Sequence, residues 1–501
     1  MALTVHSVLH RRKEEFAPLH DDFVGMYVCG PTVYDLPHLG HAKTYIAFDA
    51  IVRYLRHRGY RVLYVQNITD VGHLTDEVAN EGEDKVEARA RQRHVHPMQI
   101  AETYTREYFR AMDALGVQRP DISPRASGHV PEIIALTQRL IEKGHAYEVN
   151  GSVYFDVGSF PEYGKLSHRE VAAEPEVESR VETEEKRHPA DFALWKRADP
   201  GHIMQWPSPW GIGYPGWHVE CSAMANKYIG PTLDIHGGGV ENIFPHNEDE
   251  IAQSEAANDA PYVRHWLLTG SLRIGGQKMS KSLGNFVTID QALENHSPEA
   301  LRFYLLQAHY ASPVDFQWDA ERRRSPSIEE AQRGLDRLYG ASQAARRWLE
   351  SASAAAEGEP TPEGRALDAE RQAGDDQFHE AMDDDFNTPR AVAALFTLAA
   401  ALNRFTGQAA SASGADRPRV EAARDTLQQL ARVLGLLEQG EAEPAAAVQL
   451  DAALERVIAW RQAARQRRDF GLSDQIRDDL RAVGILLEDH PGGKTTWRRL
   501  H

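Results

Sequence analysis

Two apolar runs, with a helical apolar pattern between them, stand out near the start of the chain. Residues 24–28 suit a buried strand, and residues 61–69 form a second run rich in β-branched side chains. Between them, apolar side chains recur at helical spacing from about Ala42 until Gly59 ends the pattern. A strand, a helix and a strand of these lengths predict a βαβ unit, and therefore a parallel sheet whose ligands lie at the carboxyl ends of its strands.

The α/β pattern resumes after residue 205. It predicts in turn a helix, a short strand, a tight glycine turn and a second helix, at residues 216–230, 231–236, 237–239 and 246–258. Residues 131–205 separate the two halves and include the acidic stretch 174–186, which indicates an exposed insertion. The fold class is therefore α/β, with a Rossmann-type doubly wound parallel sheet that an insertion interrupts.

Helical apolar spacing dominates beyond about residue 325. One helix is expected to begin where Thr388 caps it and Pro389 occupies its first position. Low-complexity stretches at 351–364 and 439–447 predict a loop and an interdomain linker, so an α-helical bundle and a small C-terminal α/β domain follow the sheet. The predicted boundaries are 1–130 and 206–270 for the two halves of the Rossmann domain, 131–205 for the insertion, 271–324 for the region after it, 325–438 for the bundle and 448–501 for the last domain.

Length and composition favour a multidomain protein and argue against a membrane-spanning, secreted or disulfide-rich one. With 501 residues the chain is too long for one hydrophobic core. No apolar run is long enough to span a bilayer, and the first 20 residues lack the apolar segment of a secretory signal, so we expect a cytoplasmic protein. The two cysteines, Cys29 and Cys221, are too few and too far apart for a disulfide framework and suit metal binding or burial.

The net charge of −18 opposes binding to nucleic acid, but the charge is unevenly distributed. Residues 451–501 carry ten Lys and Arg against eight Asp and Glu, whereas the rest of the chain carries a net −20. The basic excess includes arginines at 461, 465, 467, 468, 498 and 499. A nucleic-acid surface and a solvated helix face are both compatible with this cluster.

A His-x-Gly-His motif, formed by His38, Gly40 and His41, lies where the first predicted strand gives way to the helix. Imidazole donors and the free N–H groups of a helix start converge there, an arrangement that suits phosphate. Capping or packing of the two histidines is the alternative interpretation.

A second candidate phosphate site is the loop at residues 275–285. Gly275 and Gly276 permit motion, and Lys278 and Lys281 lie on either side of Ser280. Lysine is a compact charge on a flexible stem, so two of them can follow a developing pyrophosphate. A solvated basic loop is the alternative.

A metal site is the third candidate. His246 and Glu250 are four residues apart at a predicted helix start, which puts both side chains on one helix face. With Cys29 and Cys221 they form a plausible zinc set, although spacing alone does not bring the four together. Burial of two unrelated cysteines is the alternative.

The chain resembles the cysteinyl-tRNA synthetases, a family of class I aminoacyl-tRNA synthetases, over nearly its whole length. The segments that carry the resemblance are, in chain order, "YVCGPTVYDLPHLGHAKTYIAFD", "NITD", "PGWHVECSAM", "HGGG", "FPH", "EIAQSEA", "KMSKSLGNF", "MDDDFNTP" and "TTWRR". The resemblance implies ATP-dependent ligation of L-cysteine to tRNA(Cys) through a cysteinyl adenylate, with Mg²⁺ accompanying ATP. It also implies one Zn²⁺ per chain, bound by Cys29, Cys221, His246 and Glu250, that selects the substrate thiol over serine.

The same resemblance assigns further residues to the reaction. Thr69 and Trp217 would line the amino acid pocket. His38, Gly40, His41 and Lys281 would bind ATP, and the two histidines with Lys278 and Lys281 would stabilise charge during catalysis. No protein nucleophile is implied, because the substrates supply the attacking oxygens.

The resemblance extends to tRNA. Residues 271–324 would contact the acceptor stem, the bundle would bind tRNA, and the last domain would read the anticodon through Arg465, Phe470, Asp474 and Asp489. Arginine and aspartate can read base edges, and an aromatic ring can stack. The partners expected are tRNA(Cys), L-cysteine and ATP, without a membrane, and the chain is expected to act as a monomer.

The chain departs from the family pattern beside the expected zinc site. It reads "HGGGVENIFPHNEDE", so Glu241 replaces an aspartate, Asn247 a histidine and Asp249 an asparagine. The ligand positions are kept.

Two rival functions are open. One is the related ligase that couples cysteine to an amino sugar, but it lacks the long C-terminal portion that this chain has. The other is a non-catalytic RNA-binding protein, against which the intact histidine and lysine motifs argue.

Overall fold

The computed structural model describes residues 2–71, 74–76, 81–169, 185–216, 218–279, 286–351, 359–408, 414–438, 445–467, 469–489 and 495–499. The chain divides into two compact units, Met1–Leu437 and Glu438–His501. No helix within the described residues is both long enough and apolar enough to cross a bilayer.

The strands are short and occur mostly in the first unit. They are β1 (Thr4–Ser7), β2 (Arg12–Glu15), β3 (Phe23–Val28), β4 (Arg61–Gln66), β5 (Leu74–Asp76), β6 (Glu81–Asp84), β7 (Ala146–Val149), β8 (Ser152–Phe155), β9 (Phe192–Arg197), β10 (Trp206–Ser208), β11 (Gly211–Pro215), β12 (Leu233–Gly239), β13 (Val263–Thr269), β14 (Leu272–Ile274), β15 (Gln277–Lys278), β16 (Val314–Phe316), β17 (Ile485–Asp489) and β18 (Thr495–Arg499).

The helices lengthen toward the C-terminal half of the chain. They are α1 (Leu39–His57), α2 (Lys85–Arg93), α3 (Pro97–Ala114), α4 (Val130–Glu142), α5 (Val219–Tyr228), α6 (Glu248–Asn258), α7 (Ile289–Leu293), α8 (Pro298–Leu306), α9 (Pro326–Ser351), α10 (Pro362–Asp383), α11 (Thr388–Gln408), α12 (Arg417–Val433), α13 (Ala445–Gln466) and α14 (Phe470–Ala482).

A four-stranded parallel sheet in the order β13-β12-β3-β4 forms the centre of the first unit. Met26 pairs with Ile235 on one side and with Tyr64 on the other, and all three side chains are buried. The apolar runs at 24–28 and 61–69 therefore form neighbouring strands, as predicted, although the second strand ends at Gln66. The predicted Rossmann-type parallel sheet is confirmed.

The three glycines at 237–239 do not form the predicted tight turn. They are the last residues of β12 and pair in register with Leu267 to Thr269 of β13. A side chain at Gly237 would place its Cβ 2.4 Å from the Phe48 ring of α1. Glycine is needed here because the helix packs closely on the strand.

The insertion folds as an antiparallel sheet in the order β10-β11-β9-β8-β7. This sheet continues to Pro215, past residue 205, at which the sequence predicts the insertion to end. Residues 174–184 of the predicted acidic stretch lie outside the described residues.

Helices α9 to α12 pack together as the predicted bundle, with Leu338, Leu395 and Leu427 fully buried between them. The predicted cap of α11 is wrong by one residue. Thr388 is already helical, and Asn387 Oδ1 accepts the N–H of Arg390 at 3.2 Å, because asparagine is the stronger N-cap residue.

A buried arginine joins the bundle to α1. Arg302 of α8 donates to the Asp49 carboxylate of α1 and, through Nε, to the carbonyl of Leu434 just past α12 at 2.7 Å. Its Nη1 also donates to the carbonyl of Leu115 at 3.3 Å. Both charged side chains are 1% exposed.

The second unit contains α13, α14 and the antiparallel pair β17-β18. Helix α13 begins at Ala445, so the last residues of the predicted linker at 439–447 are helical, and residues 439–444 lie outside the described part of the chain.

Candidate metal centre and nucleotide site

The four predicted metal ligands come together at the carboxyl edge of the central sheet. Cys29 follows β3 directly and Cys221 lies in the first turn of α5. His246 lies in the π-helical turn at 243–247 that precedes α6, and Glu250 lies in the first turn of α6. One ligand atom from each side chain lies within 4.8 Å of the others. The structure thus brings together the four residues that the resemblance implies as ligands.

Individual distances show how tightly the cluster is packed. Cys29 Sγ lies 3.3 Å from His246 Nε2 and 3.7 Å from Glu250 Oε1, and the last two atoms are 3.0 Å apart. Cys29 is 7% exposed and Cys221 1%, and the Glu250 side chain is fully buried. Two thiols, an imidazole and a carboxylate thus share one buried space.

The donor set fits a zinc ion. A hydrogen bond with Cys221 lowers the pKa of Cys29, but burial and the Glu250 carboxylate outweigh it and raise that pKa to about 11. A divalent cation reverses this balance, because it binds the thiolate and offsets the buried carboxylate charge. Thiolate, imidazole and carboxylate are also the ligands that zinc takes in proteins.

The second oxygen of Glu250 is fixed by two buried donors. His236 Nε2 lies 2.8 Å from Glu250 Oε2, and the Tyr262 hydroxyl donates to the same oxygen at 2.9 Å. Oε1 is left facing Cys29 and His246 and accepts one bond from Asn247 Nδ2 at 3.2 Å. Although burial opposes it, the imidazoles of His236 and His246 hold the pKa of Glu250 well below its usual range.

The second ring nitrogen of His246 is also engaged. Its Nδ1 contacts His218 Nδ1, and the two rings meet edge to face with centroids 4.3 Å apart. His218 Nε2 lies 3.5 Å from the carboxylate of Asp249, which accepts the Tyr163 hydroxyl. Contacts of this kind orient a ligating imidazole, so that Nε2 faces the thiols.

Thr69 supports the loop that follows Cys29. Its N–H donates to the Pro31 carbonyl and its carbonyl accepts the N–H of Val33, both at 3.1 Å. Gly30 lies so close to Asn67 that a Cβ would be 1.5 Å from the Asn67 carbonyl oxygen. Of the two residues predicted to line the amino acid pocket, Thr69 lies within the described part of the chain, whereas Trp217 lies outside it.

The His-x-Gly-His motif begins α1 as a capping box. His38 Nδ1 accepts the N–H of Gly40 at 3.0 Å, and His41 Nδ1 accepts the N–H of His38 at 3.2 Å. The rings stack with centroids 3.9 Å apart. Because each Nδ1 accepts, each neutral ring carries its proton on Nε2, and both rings are therefore hydrogen-bond donors through that atom.

The segments on either side of the lysine loop lie against this motif. Leu39 N–H donates to the Val287 carbonyl and Ile289 N–H to the Pro37 carbonyl, both at 3.1 Å. A Cβ on Gly40 would lie 3.6 Å from Met279 Cε. Residues 280–285, which include Lys281, and the Lys278 side chain lie outside the described part of the chain.

Comparison with known proteins identifies the family. Residues 15–323 match the family model "tRNA synthetases class I (C) catalytic domain", and residues 377–438 match the DALR domain. A cysteine–tRNA ligase of Chlorobium luteolum is 48% identical over 509 residues, which cover 100% of both chains. One of Thermus thermophilus is 48% identical over 501 residues and covers 99% of each. The chain belongs to the cysteine–tRNA ligase family.

Solved class I synthetases share the fold of this cysteine–tRNA ligase family member. The methionyl-tRNA synthetase of Mycobacterium tuberculosis, in complex with methionyl-adenylate, matches with a TM-score of 0.57 at 19% identity, over 82% of this chain and 89% of that one. The LeuRS of Agrobacterium radiobacter K84, in a ternary complex with tRNA, matches with a TM-score of 0.59 at 13% identity, over 84% and 85%.

The predicted anticodon residues lie in the second unit of this family member. Arg465 is exposed near the end of α13, and Phe470 begins α14 with 59% of its surface exposed. Asp474 lies on the same helix, 3.1 Å from the Arg477 guanidinium. Asp489 ends β17, and its side chain lies outside the described part of the chain.

Sequence reasoning missed three residues around the candidate metal centre: His218, His236 and Tyr262. His236 carries a recognisable signal, because it is an imidazole at the end of an apolar strand that reaches the ligand edge of the sheet. His218 lies three residues before Cys221, next to a predicted helix start. Tyr262 gives no local signal, since it lies in the short connection between α6 and β13 and only the fold brings its hydroxyl to Glu250.

Proposed function

We propose that the chain ligates L-cysteine to tRNA(Cys) with ATP, through a cysteinyl adenylate. One observation carries this proposal: a buried cluster of two thiols, an imidazole and a carboxylate lies at the same sheet edge as a helix start that presents imidazole N–H groups. Full-length similarity to cysteine–tRNA ligases supports it.

Selection of cysteine over serine needs more than pocket shape. The two amino acids differ by one chalcogen atom, and a shape-based pocket discriminates such pairs by only about 1–3 kcal/mol. A zinc ion, when bound, supplies a soft Lewis acid that takes a thiolate far more readily than an alcohol. Cys29, Cys221, His246 and Glu250 would hold that ion.

The residues around the cluster would keep its donors aimed. His236 and Tyr262 hold one oxygen of Glu250, so that the other is directed into the cluster. Thr69 and Trp217 are proposed to line the amino acid pocket next to it. Thr69 is suited to this because its backbone fixes the loop that begins at Gly30.

In the activation step, the carboxylate of cysteine attacks the α-phosphate of ATP and pyrophosphate leaves. The Nε2–H groups of His38 and His41, with the N-terminus of α1, would stabilise the charge that moves onto the phosphates. Gly40 leaves room for the nucleotide to approach the helix start. Lys278 and Lys281 are proposed to neutralise the pyrophosphate, together with Mg²⁺ that accompanies ATP.

In the transfer step, a hydroxyl of the terminal tRNA ribose attacks the adenylate carbonyl, and AMP leaves. Both attacking oxygens come from substrates, so positioning and electrostatics are what the chain supplies. Residues 325–438 are proposed to bind the tRNA body. Residues 448–501 are proposed to read the anticodon, through Arg465, Phe470, Asp474 and Asp489.

An aminoacylation assay on unfractionated tRNA, with cysteine and with serine, tests the proposal, together with metal analysis of the purified protein. We expect charging with cysteine alone and one zinc per chain. Cysteine-dependent exchange between pyrophosphate and ATP without charging of any tRNA would contradict it, as would equal charging with serine. The proposal includes action as a cytoplasmic monomer, which sedimentation equilibrium and cell fractionation check.

A further inference from the structure

The outward side of α13 carries an exposed tryptophan between two arginines. Trp460 is 65% exposed. Arg456 lies four residues before it. Arg467 lies seven residues after it, one residue past the end of α13, but its N–H still donates to the Ala463 carbonyl at 3.1 Å, so at 3.6 residues per turn all three lie on one side. We call Arg456, Ala459, Trp460 and Arg467, all exposed, the α13 outer face. The opposite side of the helix, with Leu454, Ile458, Arg461 and Ala464, is buried in the second unit.

The charge of the α13 outer face differs from that of its neighbour. Among the described side chains, the face has two arginines and no carboxylate. Helix α14 instead exposes Asp474, Asp478 and Asp479 along with its arginines. In a chain with a net charge of −18, a helix face that is only cationic marks a site for a negatively charged partner.

We propose that the α13 outer face binds an unpaired segment of tRNA. Trp460 stacks on a base, and Arg456 and Arg467 contact phosphates on either side of it. This inference rests on the proposed function, which supplies the RNA, and adds a contact beyond the four anticodon residues named above.

The chemistry of the face fits a single strand of RNA better than a protein. Every base presents a flat π-face to an indole, and arginine pairs with phosphate through two parallel hydrogen bonds. By the 1.5 Å rise per residue, the two arginines are about 16 Å apart along the helix, so the ring has a cation one to two turns away on each side. A protein partner would need a contiguous apolar patch, whereas the neighbours of Trp460 on this face are alanine and arginine.

Binding of a tRNA(Cys) transcript to the full-length chain tests the inference. Trp460→Ala should weaken binding by about tenfold, and Trp460→Phe should retain most of the affinity because phenylalanine still stacks. Arg456→Gln should lower the slope of log K against log salt by about one, the signature of one lost phosphate contact. Val483→Ala is the matched control, since Val483 is 72% exposed in the same unit but lies off the face.

Cysteine-dependent exchange between pyrophosphate and ATP, measured without tRNA, serves as the second readout. We expect it to be unchanged in all four variants. Wild-type tRNA affinity in Trp460→Ala would overturn the inference. A sedimenting mass that is lower for Trp460→Ala than for the unaltered chain would also overturn it, because a second copy of the chain would then cover the face. If the unaltered chain shows no cysteine-dependent exchange, the proposed function fails, even where tRNA binding depends on Trp460.

Discussion

The thiol cluster and the pair formed by His38 and His41 both lie at the carboxyl edge of the central sheet, but they are positioned by different parts of the fold. Cys29, Cys221, His246 and Glu250 are spread over more than two hundred residues and meet only when β3, α5 and α6 pack together. The histidine pair is set by one capping box at the start of α1. The cluster is therefore a product of tertiary packing, whereas the pair is local, and substitutions can separate its capping role from its proposed chemical role.

The largest effect is expected from removing one thiol of the cluster. Cys221→Ser should abolish stoichiometric zinc and lower cysteine-dependent pyrophosphate–ATP exchange by at least about a hundredfold, because even contacts behind a ligand are worth 10- to 100-fold. Met224→Leu, a buried change of similar volume on the same helix, is the control and should retain both. Full exchange and full zinc in Cys221→Ser would remove the cluster from the function.

The histidine pair can be divided by two substitutions of His38. Asparagine is a good N-cap residue, so His38→Asn should keep the free energy of unfolding, whereas His38→Ala should lose about 1 kcal/mol of it. Both should lower pyrophosphate–ATP exchange by about a hundredfold, because both lack the imidazole N–H. Denaturant unfolding and exchange assays check the pair. Normal exchange in His38→Asn would mean that the histidine only caps α1.

A smaller effect is expected where a residue acts on the cluster through Glu250. His236→Leu removes the donor to Oε2 and should weaken zinc binding by about 10- to 100-fold, measured by competition with a chromophoric chelator. His265→Leu is a matched control. His265 is buried on the neighbouring strand, neither of its ring nitrogens has a hydrogen-bond partner within the described residues, and burial lowers its pKa to about 4. Equal zinc loss in both variants would contradict a specific role of His236.

The smallest change is expected for Tyr262→Phe. It removes one hydrogen bond to Glu250 and keeps the ring, so the expected cost is about 1 kcal/mol, or roughly fivefold in zinc affinity. The same chelator competition measures it. A loss of zinc affinity as large as that in His236→Leu would contradict the expectation that the Tyr262 hydroxyl contributes less than the His236 imidazole.

Sequence patterns were sufficient for the elements that depend on local chemistry. Apolar runs and helical spacing located β3, α1 and β4, and Gly59 lies just past the end of α1 with a φ of +94°, as its role as a helix stop requires. The glycines at 237–239 misled the prediction, because glycine marks turns and close approaches alike. Only the position of Phe48 distinguishes the two.

Less of the candidate metal site than of these elements could be predicted from local sequence patterns. Spacing joined His246 to Glu250, and Cys29 and Cys221 were added because thiolates complete a zinc set, but only the resemblance to a family implied that the four residues meet. The residues that hold Glu250 in place are His236 on β12 and Tyr262 just before β13, and both meet it in the interior. Contacts of that kind are set by how helices pack on the sheet, which a residue pattern does not encode.

The guanidinium of Arg302 donates to three parts of the first unit: the Asp49 carboxylate of α1, the Leu115 carbonyl just past α3 and the Leu434 carbonyl just past α12. If α8 moved away with the bundle, the Asp49 carboxylate and the Leu115 carbonyl would lose this donor, and if α8 stayed with α1, the buried Leu434 carbonyl would lose it. Sheet and bundle should consequently melt together in a single calorimetric transition. Asp49 lies in the middle of the helix that His38 caps, so Arg302 links the bundle to the helix that begins at the proposed nucleotide site.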